Sequence, residues 1–163
     1  MSRIPAHTVD DAALLQHAIR FSPTGRPLNL HAQMAHSPAV LVAYSAIRHA
    51  TAEHGTVDPR VSSAVMLATA TTVGNDYVVG ITSRLASMLG WAEDRVAALR
   101  SGNSVGDDKI DALTNLVREA AANAGAVEDI TWKTAQAAGW NDEQLTEAFA
   151  YLGLTVFTGY FLN

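Results

Sequence analysis

Between Asp58-Pro59 and Gly74 lies the run VSSAVMLATATTV, from Val61 to Val73, which carries no charge and is polar only through serine and threonine. Asp followed by Pro is helix-start chemistry. The carboxylate accepts a free backbone N–H, and the proline ring suits the first turn, where its missing N–H costs nothing. Glycine is stop chemistry. A helix bounded this way and uncharged all round has no natural solvent face, so other elements must surround it. The run therefore predicts a fold built around one central helix.

The rest of the chain supplies helices to do the surrounding, and strand signals are nearly absent. Residues 10–20 start with acids and place Ala13, Leu14, His17 and Ala18 on one side of a short amphipathic helix. A turn is predicted at Ser22-Pro23-Thr24-Gly25-Arg26-Pro27, then a brief helix from Leu28 to Ala35. Ser37 is placed as the cap of a longer helix, with Pro38 in its first turn and Gly55 at its close. Asn75, directly after Gly74, is placed as the cap of a helix running to about Gly90. Further helices fit 92–100, 107–124, 129–138 and 141–162. The expectation is a single all-α domain over residues 1–163.

One echo stands out. Leu89-Gly90-Trp91-Ala92-Glu93-Asp94 is matched by Ala138-Gly139-Trp140-Asn141-Asp142-Glu143. Both read as corners where glycine ends a helix, a buried Trp pins the turn and acids open the next helix. Outside the two corners the sequence reads as non-repetitive.

Composition closes off several functions. With 48% hydrophobic and 17% charged residues the chain is no solvated polymer. A net charge of −5, with Lys and Arg scattered, argues against nucleic acid as a partner. Zero cysteines removes disulfides, thiolate metal sites and cysteine nucleophiles together. The opening Met1-Ser2-Arg3-Ile4-Pro5 lacks the apolar core of an export signal, so a cytoplasmic protein is expected. The uncharged stretch Ala148–Leu162 falls short of the roughly 20 residues a membrane span needs. It reads as a helix buried on all sides or in a subunit contact. The spacings His31/His36 and His49/His54 put neither pair on one helix face, so no metal site and no cofactor are expected.

The junction Gly74-Asn75-Asp76-Tyr77-Val78-Val79-Gly80-Ile81-Thr82-Ser83 carries a resemblance. So do Pro27-Leu28-Asn29-Leu30, Ala35-His36-Ser37-Pro38, Asp58-Pro59-Arg60, the two glycine corners and Phe157-Thr158-Gly159-Tyr160-Phe161. Over nearly its whole length the chain resembles the carboxymuconolactone decarboxylase and alkylhydroperoxidase D-like family. That resemblance implies an all-α helical bundle and a homo-oligomer, trimer or hexamer, to whose packing the last helix contributes. Family members of the peroxidase type carry two cysteines in a CxxC arrangement at this helix start. They add a histidine one turn after the second cysteine and a glutamate on the preceding helix. Here those positions are Asn75, Val78, Thr82 and Ser63. Peroxide reduction needs a thiolate to attack the O–O bond and a second thiol to resolve the sulfenic acid. Neither Asn nor Val does either, so thiol peroxidase and disulfide reductase activities are excluded.

The decarboxylase branch needs an acid or base. Between Val61 and Gly90 the chain has no histidine, and its one carboxylate, Asp76, sits in a first turn where the helix dipole accounts for it. What remains is a pocket lined by Ser63, Asn75, Val78 and Thr82, small, mildly polar and uncharged. Tyr77, Thr82 and His36 are its catalytic candidates; His7 and His17 read as peripheral. Two functions follow: a non-thiol enzyme or pocket protein for a small organic ligand, or a non-catalytic homo-oligomeric scaffold.

Overall fold

The structure, a computed structural model, describes residues 4–5, 12–20 and 25–162. Among these, every regular element is a helix: α1 (Ala12–Ile19), α2 (Asn29–Met34), α3 (Pro38–His54), α4 (Pro59–Val73), α5 (Asp76–Met88), α6 (Glu93–Ser101), α7 (Asp108–Ala122), α8 (Asp129–Ala137) and α9 (Asp142–Phe161). The fold is an all-α helical bundle. None of these helices is long and apolar enough to cross a membrane. Ser22 to Thr24 of the predicted turn, His7 and Asn163 lie outside the described residues.

Two compact units divide the chain. The first runs to Gly55 and takes in 162–163; in it α1 and α2 pack on α3. Ser37 does occupy the N-cap position of α3, but its side chain makes no capping bond, and Pro38 alone supplies the start signal.

The second unit, Thr56–Phe161, is organised around α4, which packs against α5, α6, α7 and α9. The uncharged helix is central, as its composition requires: Ala64, Val65, Leu67 and Ala68 are fully buried. Its hydroxyls turn inward on the helix itself, with Thr69 Oγ1 donating to the Val65 carbonyl at 2.9 Å. Asp58 caps α4 by accepting the Arg60 N–H, and Asn75 caps α5, both as the sequence predicts.

The repeat, however, goes well beyond two corners. Asp107 caps α7 as Asp58 caps α4, and both of these helices are 15 residues long. Trp91 donates its indole N–H to the Arg60 carbonyl, and Trp140 donates to the Lys109 carbonyl, in each case across 31 residues. The Arg60 guanidinium lies 4.4 Å over the Trp91 ring, and the Lys109 ammonium 4.5 Å over Trp140. Thus α4–α5–α6 and α7–α8–α9 repeat one three-helix plan. The sequence hides it because helix-capping and carbonyl-acceptor positions tolerate many residue types.

Each corner closes the same way. The Trp91 and Trp140 N–H groups bond back to the carbonyls of Ala86 and Ala135, and the preceding glycine N–H groups to Ser87 and Gln136. This paired pattern requires a left-handed residue, which Gly90 (φ +90°) and Gly139 (φ +94°) provide without the steric cost of a Cβ. The tryptophans then enter different cores: Trp91 packs with Leu67, Val96 and Leu99, and Trp140 with Leu113, Leu145 and Ala148.

The expectation of a last helix buried on all sides is corrected. Tyr151, Leu154 and Thr155 face inward, but Phe157 is 42% and Tyr160 70% exposed. Within one chain, α9 has only enough neighbours to cover one side.

Candidate functional site

The junction between α4 and α5 forms a helix tip within the second unit. Gly74 ends α4 in the left-handed conformation and Asn75 turns the chain into α5. The Asn75 side chain is only 6% exposed. Its Oδ1 accepts the Val78 N–H at 3.0 Å, and its Nδ2 donates to the Gly159 carbonyl at 3.2 Å. This amide therefore caps α5 and ties it to the end of α9. A Cβ on Gly159 would lie 3.0 Å from Val73 Cγ1, so the end of α9 packs tightly on the end of α4 beside this bond.

The other predicted pocket residues gather in the same unit but are turned to their own helices. Val78 and Thr82 are each 2% exposed, and Thr82 Oγ1 donates to the Val78 carbonyl at 2.8 Å. Ser63 is fully buried, and its Oγ donates to the Arg60 carbonyl at 2.6 Å, the same oxygen that accepts the Trp91 indole. Each hydroxyl proton is thus committed, leaving lone pairs as the remaining hydrogen-bonding capacity. Ser83 Oγ, one position along, is buried without a partner. Nothing in this set of neutral side chains ionises near neutral pH or serves as a nucleophile activated by a base.

Tyr77 points away from this interior, 45% exposed. His36 belongs to the first unit, on the turn between α2 and α3, with Nε2 3.0 Å from the Pro5 carbonyl. Among the described residues no group of three or more His, Cys, Asp or Glu side chains is placed to hold a metal ion.

Two ionisable groups, one buried and one half-buried, were missed from the sequence. His31, on α2, is 2% exposed with Nδ1 unpartnered. Burial, and secondarily the nearby Arg48 charge, lowers its pKa to about 4, against a weaker opposing pull from the Ala18 carbonyl. Its ring packs on Tyr44, whose hydroxyl accepts from Arg48 at 3.3 Å. The second is Arg118 on α7, which donates to Thr71 Oγ1 at 2.8 Å, to the Ala68 carbonyl at 3.3 Å and to the Leu99 carbonyl. Burial lowers its pKa, yet all of these acceptors are neutral, so it acts as a clamp between α4, α6 and α7. A basic residue directly after the apolar pair Leu116-Val117 was the one sequence signal available for it.

The architecture has known counterparts. The chain is similar in structure to the debrominase Bmp8, both without ligand and as a cysteine-to-alanine variant in complex with 2,3,4-tribromopyrrole. In each case the TM-score is 0.85 at 13% sequence identity, over 99% of this chain and 88% of the other. At that identity the likeness establishes a shared all-helical fold. No family model and no curated protein matches the sequence.

Proposed function

We propose that this chain is a carboxymuconolactone decarboxylase-like protein that acts on a small organic molecule without thiol chemistry. The carrying observation is the tip at Asn75. The helix end that would activate a nucleophile is kept, but a side-chain amide fills it, bonded to Val78 and Gly159. The full-length likeness to a debrominase supports an enzyme-type fold as the starting point. Ser63, Asn75, Val78 and Thr82 form the ligand-facing set in this reading, with Tyr77 and His36 as the further candidates. Exposed Phe157 and Tyr160 support packing against a second copy of the chain.

Thermal-shift screening against small aromatic acids and lactones tests the proposal. A ligand at one hundred times its Kd is expected to raise the midpoint by roughly 5 to 10 °C for a chain of this size. Turnover of a hydroperoxide with a dithiol donor would refute the thiol-free assignment. A screen in which nothing stabilises the protein would instead leave a non-catalytic homo-oligomeric scaffold.

A further inference from the structure

The two halves of the second unit meet at a cavity of about 310 Å³ that none of the site residues above lines. Asp58 and Asp107 occupy equivalent positions in the repeat, as do Val61 and Ile110, and all four line it. A cleft where two similar modules abut is a favoured place for a small ligand, and this volume lies at the lower end of the ~300–1,000 Å³ usual for one.

Its polar groups are half committed. Asp58 Oδ1 accepts the Arg60 N–H at 2.8 Å, and Asp107 Oδ1 accepts Lys109 and Ile110 at 3.1 and 3.2 Å. Among the described residues the second oxygen of each carboxylate has no hydrogen bond or ion pair. The Lys109 ammonium also lines the cavity, resting on the Trp140 ring with no carboxylate within reach. The charges balance: two helix starts, each about half a positive charge, together with Lys109 offset the two aspartates. A lone cation or a lone anion would leave part of this lining unanswered. A molecule carrying both signs answers all three charged side chains, Asp58, Asp107 and Lys109.

We propose that this cavity binds a small zwitterion, an α-amino acid with an apolar side chain. The ligand ammonium bridges the second oxygens of Asp58 and Asp107. Its carboxylate takes the Lys109 ammonium, and its side chain lies against Val61 and Ile110. The site is separate from the Asn75 tip and does not depend on the function assigned there.

L-Leucine, titrated into isotopically labelled full-length protein and followed at the Trp140 indole resonance, provides the test. Two matched probes share its skeleton: 3-methylbutylamine lacks the carboxylate and 4-methylpentanoate lacks the amine. The expected result is a saturable Trp140 shift with leucine, and at least about tenfold weaker binding of each analogue, since each forfeits a charge-assisted contact. The double variant Asp58→Asn with Asp107→Asn keeps the capping oxygens, and so the fold, but loses the charges. It is expected to bind leucine at least about tenfold more weakly. Analogues or a double variant binding as tightly as the reference pair would overturn the proposal. So would an unmoved Trp140 resonance at leucine on the order of 10 mM. Shifts confined to Asn75 and Thr82 would assign leucine to the other site and equally refute this one.

Discussion

Trp91 and Trp140 each follow a left-handed glycine, donate to a carbonyl 31 residues upstream and carry a cation over the ring. Their surroundings differ. At the first corner the cation is Arg60, whose Nε is buried without a partner, and its carbonyl also accepts Ser63 Oγ. At the second it is Lys109, exposed and facing a cavity. The same three-helix plan has been closed into the core once and left open at a cleft once. Backbone bonds hold the plan, while the choice between arginine and lysine sets how the site meets solvent.

The largest expected effects come from the tryptophans. Trp91→Ala and Trp140→Ala are each expected to cost about 3–5 kcal/mol in denaturant unfolding, through lost packing and the lost indole hydrogen bond. A loss below about 1 kcal/mol at either corner would break the equivalence of the two halves.

Acid supplies a contrast from outside the pair. All six histidines precede Gly55, so neither half of the second unit holds one. His31 titrates near 6.5 when unfolded and at about 4 when folded, so the unfolded chain takes the proton first as pH falls. Its neutral form therefore favours folding above pH 6.5, and that advantage is lost between 6.5 and 4, at full extent about 3 kcal/mol. Hydrogen exchange over this range should show the first unit loosening before the second, and His31→Leu should flatten the dependence. Equal loosening of both units, unchanged by the substitution, would remove His31 as the cause.

The smallest effects compare the caps. Asp58 holds one backbone N–H, that of Arg60, whereas Asp107 holds two, those of Lys109 and Ile110. Within the ~0.5–2 kcal/mol range for a lost cap, Asp107→Ala should therefore cost more than Asp58→Ala. The reverse order, measured by urea midpoint, would sharpen the comparison against the hydrogen-bond count.

Much of the fold was legible because its signals are local. Asp58-Pro59, Asn75, Gly74 and the two glycine corners each act within one turn, and the charge-free run announced its own burial. The repeat was legible only at Gly90-Trp91 and Gly139-Trp140, since the remaining equivalences pair unlike residues such as Arg60 with Lys109. At the candidate site, the residue identities predicted what the tip lacks. They gave no hint that Asn75 reaches Gly159, far along the chain.

The sequence by itself determined the helices, the exclusion of thiol chemistry and the central place of α4, because capping, periodicity and composition act through neighbouring residues. Tertiary structure alone decided which carbonyl receives each indole, that His31 is buried and neutral, and that Asp58 and Asp107 share a cavity. Those outcomes depend on which surfaces meet when distant helices pack, and the energy of that meeting is spread over many contacts that no short stretch of sequence contains.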